Sequence, residues 1–328
     1  MPAIMTHDFF GKDAYAGVAE SRGFVTIQER QAFLLGNQGP DPLFYLVADP
    51  FVGASNRVGG LMHHARTARL VVSLRDALTM LNRAERPVGN AYAAGFVCHY
   101  LLDRAVHPLV YHYQYGICDA GVPGLSRADG DEVHAEIERD LDEMVLFSKT
   151  GMTVRSFRPY REILRADDET LAVIDKLYFY MNLWTYSKTL ELDCYSRAVK
   201  SFRLVQRLFY TPNQGKTRVL APIERRLGHS RYSLYAAMAH RDRAEQTSDF
   251  DNREGRPWRN PFDGTVSTDG FWQLYQGAQD EVAGALDAFF SLEFDEAAAE
   301  ALTRNLNFSG QHADPDDPEG PSEPGVGA

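Results

Sequence analysis

The stretch Cys98-His99-Tyr100-Leu101-Leu102-Asp103-Arg104-Ala105-Val106-His107 decides how the rest of the chain is read. Around it Ala94, Val97, Leu101 and Ala105 recur at spacings of three and four, the period of an α-helix with one buried side. On that period His99, Asp103 and His107 stand at i, i+4 and i+8. Each four-residue step turns the helix by about 40°, so the three side chains project from one face. Polar groups on an otherwise Ala-, Val- and Leu-rich helix are costly to bury unless they find partners.

The same pairing returns in Val133-His134-Ala135-Glu136-Ile137-Glu138, where His134 and Glu138 are again i, i+4. Either pair alone is read equally well as an ordinary contact that steadies a helix. Three successive ligand-type residues on one face favour a metal site. Imidazole nitrogen and carboxylate oxygen are the donors zinc accepts. A carboxylate flanked by two histidines, as Asp103 is, can also bridge two cations and screen their repulsion.

Outward from this centre the patterning is helical nearly throughout. It predicts helices over residues 28–35 (ending at Gly36), 65–83, 90–107 (with Pro108 near the end), 131–147, 168–187, 191–209, 230–243 and 270–292. Strand-like alternation between hairpin turns is scarce. Residues 36–60, 112–130 and 248–269 read as irregular, and loops of that length inside a domain are usually functional or disordered. The expected fold is all-α. Residues 1–308 would form a single multi-helix bundle domain, and 309–328 a disordered acidic Pro/Gly tail.

Net charge is −11, which speaks against a general nucleic-acid coat or a polybasic anchor, so no stable nucleic-acid complex is expected. The Arg-rich stretch from Arg197 to Arg259 could receive phosphates or form a solvated helical face. Cys98, Cys118 and Cys194 are odd in number and lack CxxC spacing, which speaks against a disulfide framework and a cysteine zinc site. No signal peptide and no run of about 18 apolar residues is visible, so the expected location is cytoplasmic, without a transmembrane segment.

Seven of the ten histidines precede residue 135. His7 stands beside Phe9-Phe10, Asp41 sits in the stiff turn Gly39-Pro40-Asp41-Pro42, and Met62 is followed by His63 and His64. Adjacent imidazoles rarely serve the same face, so one of that pair is exposed or secondary. Phe44 and Tyr45 are candidates for a substrate pocket or for the core.

Taken together, Thr6-His7, Gly39-Pro40-Asp41-Pro42, Met62-His63, His99-x3-Asp103-x3-His107 and His134-x3-Glu138 resemble the zinc-dependent phospholipase C family, which includes bacterial phosphatidylcholine-hydrolysing enzymes and clostridial alpha-toxin. Order and approximate spacing match from Met1 to about Leu292. Trp258-Arg259-Asn260-Pro261-Phe262 looks like an intracellular bacterial branch. The resemblance implies the helical bundle shared with the single-strand-specific zinc nucleases, and two or three zinc ions. His63, His99 and Asp41 would hold one, with Asp103 bridging. His107, His134 and Glu138 would hold a second, and His7 with Asp103 a third. Secreted relatives complete that third metal with a processed N-terminal tryptophan, and no tryptophan lies near His7 here. The β-sandwich by which alpha-toxin docks on membranes has no counterpart in this chain.

The function implied is metal-dependent phosphodiester hydrolysis, phospholipids being among the candidate substrates, with Asp41 as catalytic residue orienting or deprotonating the attacking water. The alternatives are a nuclease or small-molecule phosphodiesterase on the same fold, or a non-catalytic zinc-binding scaffold.

Overall fold

A computed structural model describes residues 3–48, 57–228 and 233–313. Its helices are α1 (Ile4–Arg22), α2 (Ile27–Gly36), α3 (Val58–His64), α4 (Thr67–Ala77), α5 (Arg86–Cys118), α6 (Gly130–Thr150), α7 (Pro159–Glu162), α8 (Asp168–Tyr186), α9 (Cys194–Phe209), α10 (Gly215–Gly228), α11 (Leu234–Met238), α12 (Phe271–Phe289) and α13 (Glu296–Thr303). A 3₁₀ segment, Asp41–Ala48, follows α2. Among the described residues the named strands are β1 (Trp258–Arg259) and β2 (Val266–Ser267), paired antiparallel as a short hairpin. The all-α reading holds. No helix among the described residues is long and apolar enough to cross a membrane.

The chain forms two compact units. Of the described residues, the first gathers those within 3–9, 105–163 and 204–277, and the second those within 10–104, 164–203 and 278–313. The chain passes between them inside α1, α5, α9 and α12, and once more at Ile163–Leu164 between α7 and α8, so composition marks no linker. In the first unit α6 packs on α11, and α11 on α10. In the second unit α4 packs on α8 and α13, and α2 on α8. Helices α2 and α5 cross there at Gly36 and Gly95, where a Cβ on Gly95 would fall 2.1 Å from the Phe33 carbonyl.

Local chemistry sets the helix ends. Thr26 and Glu29 form a capping box: the Thr26 hydroxyl accepts from the Glu29 amide at 3.1 Å, and the Glu29 carboxylate accepts from the Thr26 amide at 2.7 Å. Thr26→Ala should cost about 1 kcal/mol of stability, read as a lower urea midpoint with an unchanged slope.

Several expectations are corrected. Helix α5 does not stop near Pro108 but runs through it to Cys118, so residues 112–118 are helical and not loop. Proline removes the bond to the Arg104 carbonyl, at about 3 kcal/mol. The buried Leu109 and Val110 that follow supply packing against that cost. The helix predicted over 65–83 begins at Thr67, because Arg66 adopts a left-handed conformation (φ 55°) with its guanidinium on the Thr185 carbonyl at 2.9 Å. Residues 215–228 form a helix despite Pro222, while α11 covers only Leu234–Met238 of the 230–243 prediction. Of the predicted tail, residues 309–313 pair back on the chain, with the Asn307 amide donating to the Gln311 carbonyl at 2.7 Å. The remainder of that tail lies outside the described residues.

Candidate metal centre

In the second unit three elements converge. Helix α5 presents His99 and Asp103, the end of α3 presents His63, and the 3₁₀ segment opens with Asp41. All four side chains are buried, His99 completely. The Asp41 Oδ1 lies 2.9 Å from His63 Nε2 and 3.9 Å from His99 Nε2, and the Asp103 Oδ2 lies 3.2 Å from His99 Nε2. Donors at opposite ends of a tetrahedral edge around zinc stand roughly 3.4 Å apart. The observed spacings bracket that value, and His63, His99 and Asp103 form a group able to hold a metal ion.

The other nitrogen of each ring decides what these contacts mean. His63 Nδ1 lies 2.7 Å from the Gly59 carbonyl, and His99 Nδ1 lies 3.1 Å from the Asn37 carbonyl. A carbonyl only accepts, so each Nδ1 carries the hydrogen and each Nε2 turns towards carboxylates. Lone pair would then face lone pair unless a proton or a metal cation stands between them. With a proton there, burial still pushes the Asp41 carboxyl up, but the hydrogen bond from His63 and the neighbouring His99 imidazole outweigh it, and Asp41 stays below the ordinary carboxylate range.

Backbone geometry brings Asp41 to this place. Gly39 has φ +48°, and a Cβ there would lie 2.2 Å from the His99 ring. Its carbonyl accepts from Tyr178 at 2.8 Å and more weakly from Tyr92 and Tyr195, at 3.3 and 3.4 Å. Phe308 donates its amide to the His63 carbonyl at 3.1 Å, and its ring stands 4.9 Å from His63 and 5.7 Å from His99.

The first unit holds a second cluster. Glu138 Oε1 lies 3.2 Å from His107 Nε2 and 3.3 Å from His134 Nε2, again a group able to hold a metal ion. His134 Nδ1 meets the Gln114 side-chain oxygen at 2.9 Å, which orients this ring as the carbonyls orient the others. Tyr111 packs 5.0 Å from the His134 ring and is covered by Phe262 of the hairpin region at 5.1 Å. His107 and His134 are less deeply buried than the histidines of the first cluster, with side chains 13% and 14% exposed.

Burial pushes Glu138 up, yet the imidazoles of His134 and His107 hold it well below the ordinary carboxylate range. A carboxyl lowered on folding adds stability above its unfolded value, and that stability is lost as pH falls through the native value. In chelator-treated protein, Glu138→Gln should therefore unfold at lower urea than the wild type above about pH 5, with the gap closing in acid. A gap unchanged from pH 7 to pH 3 would exclude an ionic role.

His7 lies buried in the first turns of α1, in the first unit. The start of that helix is held by Asp142, which accepts from the amides of Met5 (3.0 Å) and Thr6 (2.7 Å). Of the two adjacent histidines, His63 faces the cluster, while His64 belongs to no ligand group among the described residues. Tyr45 is a core residue stacked 3.8 Å from Phe202, whereas Phe44 packs 4.8 Å from the His63 ring. A cavity of about 360 Å³ in the first unit, between Tyr113, Asp251, Arg253 and Trp258, is lined by none of the ligand candidates.

The positioning residues Tyr92, Tyr178, Tyr195 and Phe308 carry no motif and were not legible in the sequence. Gln114 was accessible in principle, since it lies two helical turns beyond His107 on the same face of α5.

No known family model matches the chain. Nor does any curated protein or any solved structure match it.

Proposed function

We propose that this protein is a zinc-dependent phosphodiester hydrolase of the phospholipase C type, built on the helical fold shared with the zinc nucleases. One observation carries the reading: imidazoles whose Nδ1 hydrogens are committed elsewhere aim Nε2 at buried carboxylates. Nitrogen and oxygen donors with no cysteine suit zinc.

His63, His99, Asp41 and Asp103 would hold one ion, and His107, His134 and Glu138 another. Bound zinc would supply a water acidified towards neutrality and positive charge against the phosphoryl oxygens. Asp41, kept ionised by its imidazole neighbours, is poised to take a proton from the attacking water. Phe44 offers an apolar wall beside His63.

Metal analysis by mass spectrometry, on protein purified without chelator, should find at least one zinc per cluster. Hydrolysis of p-nitrophenyl-phosphocholine above bis-p-nitrophenyl phosphate and single-stranded DNA would favour the phospholipase reading, and the reverse order the nuclease. A loaded protein inert towards all of them would be a scaffold. Protein free of transition metal would end the proposal.

A further inference from the structure

The end of α9, from Leu204, and α10 carry an unusual surface in the first unit. Of the thirteen large apolar residues exposed among the described residues, five lie here: Leu204, Leu208, Val219, Leu220 and Ile223. The others are spread along the rest of the chain, and scattered single residues need no explanation. This grouping does.

The residues are arranged for use together. On α10, Val219 and Ile223 are i, i+4, and Leu220 flanks them, so one side of the helix is aliphatic and solvent-facing. On α9, Leu204 and Leu208 repeat the i, i+4 spacing. The inner side of α10 is fixed: Ala221 is buried, and Glu224 accepts from the Tyr235 amide at 3.1 Å and from the Ser233 hydroxyl. Lys216 joins the two helices by donating to the Leu208 carbonyl at 3.4 Å.

Charge identifies the occupant. From Leu204 to Arg226 the cations are Arg207, Lys216, Arg218, Arg225 and Arg226, and the single acid is Glu224, already engaged. The whole chain carries −11, so this basic island is set in an acidic protein. A nucleic acid would use the cations but leave the aliphatic residues in water. A second copy of the chain would bring the same cations face to face. An anionic lipid surface satisfies both features, since acyl chains take the aliphatic side chains and headgroup phosphates take the rim.

We propose that α9 and α10 dock this protein on anionic phospholipid membranes, Val219, Leu220 and Ile223 inserting at the headgroup boundary. The proposal is independent of the hydrolytic reading and would survive its failure, because the surface contains none of the metal-ligand candidates.

The test is flotation of the full chain with vesicles of phosphatidylcholine alone and of phosphatidylcholine with 30 mol % phosphatidylglycerol, a fraction of roughly one anionic lipid in three. Wild type should float with the anionic vesicles and not with the neutral ones, and should be released by about 0.5 M salt. Each neutralised cation (Arg218→Gln, Arg225→Gln, Arg226→Gln) should weaken partitioning about fivefold. Val219→Asp with Ile223→Asp should weaken it at least about tenfold. These side chains are exposed, so circular dichroism and metal content should match the wild type and exclude misfolding. Failure of the wild type to float with anionic vesicles would overturn the proposal. So would flotation unaffected by these variants, or a dimer or DNA complex that depends on Ile223 in place of vesicle binding.

Discussion

Asp41→Asn should reduce phosphodiester hydrolysis by about two to four orders of magnitude while most bound metal is retained. Asparagine keeps the volume of the side chain and one oxygen at the position 2.9 Å from His63 Nε2, but it carries no charge and cannot accept a proton from water. His63, His99 and Asp103 remain to hold a cation. Turnover of p-nitrophenyl-phosphocholine, measured beside metal content, separates the roles. Activity within about threefold of wild type would remove Asp41 from the chemistry. Loss of all metal would make it chiefly a ligand. His107→Ala is the companion variant, expected to empty the cluster in the first unit, because His134 and Glu138 alone leave too few donors.

Gly95→Ala should destabilise the protein by about 3 kcal/mol or more, lowering the melting temperature by roughly 6–12 °C. The added methyl would sit 2.1 Å from the Phe33 carbonyl and 2.9 Å from the Gly36 Cα, both backbone atoms that no rotamer change can move aside. Helices α2 and α5 would have to separate, and Asn37, which follows α2 and accepts from His99, would move with them. Gly17→Ala is the control. A Cβ there meets nothing within 4 Å, so in the interior of α1 it should be neutral or stabilising by about 0.5–1 kcal/mol. Equal melting temperatures for Gly95→Ala and wild type would mean that the two helices can part at this crossing without cost.

The helical class and the ligand-type residues were legible because both rest on local periodicity. His99, Asp103 and His107 advertise themselves by spacing on one face of α5, and His134 with Glu138 by theirs on α6. The course of α5 beyond Pro108 was not legible, since proline forbids one hydrogen bond locally while the burial that compensates it is tertiary. The helix spanning Pro222 was missed for the same reason. Residues that orient the candidate ligands escaped because they act through backbone carbonyls: Asn37 and Gly59 use main-chain oxygens, which side-chain identity does not announce. Phe308, distant in sequence from His63 and packed beside it, could be found only in three dimensions.

The ring of phenols at Gly39 bears on how a cation would arrive. Burial pushes Tyr92, Tyr178 and Tyr195 well above the usual range, so their hydroxyls remain donors at any pH the fold tolerates. They grip the peptide immediately upstream of Pro40-Asp41, whose shape is therefore cast by aromatic residues and not by the ion. Loading should then resemble a coin dropping into a slot: rapid, with little change in ellipticity and a small heat-capacity increment on titration, unlike domains that assemble only around their metal.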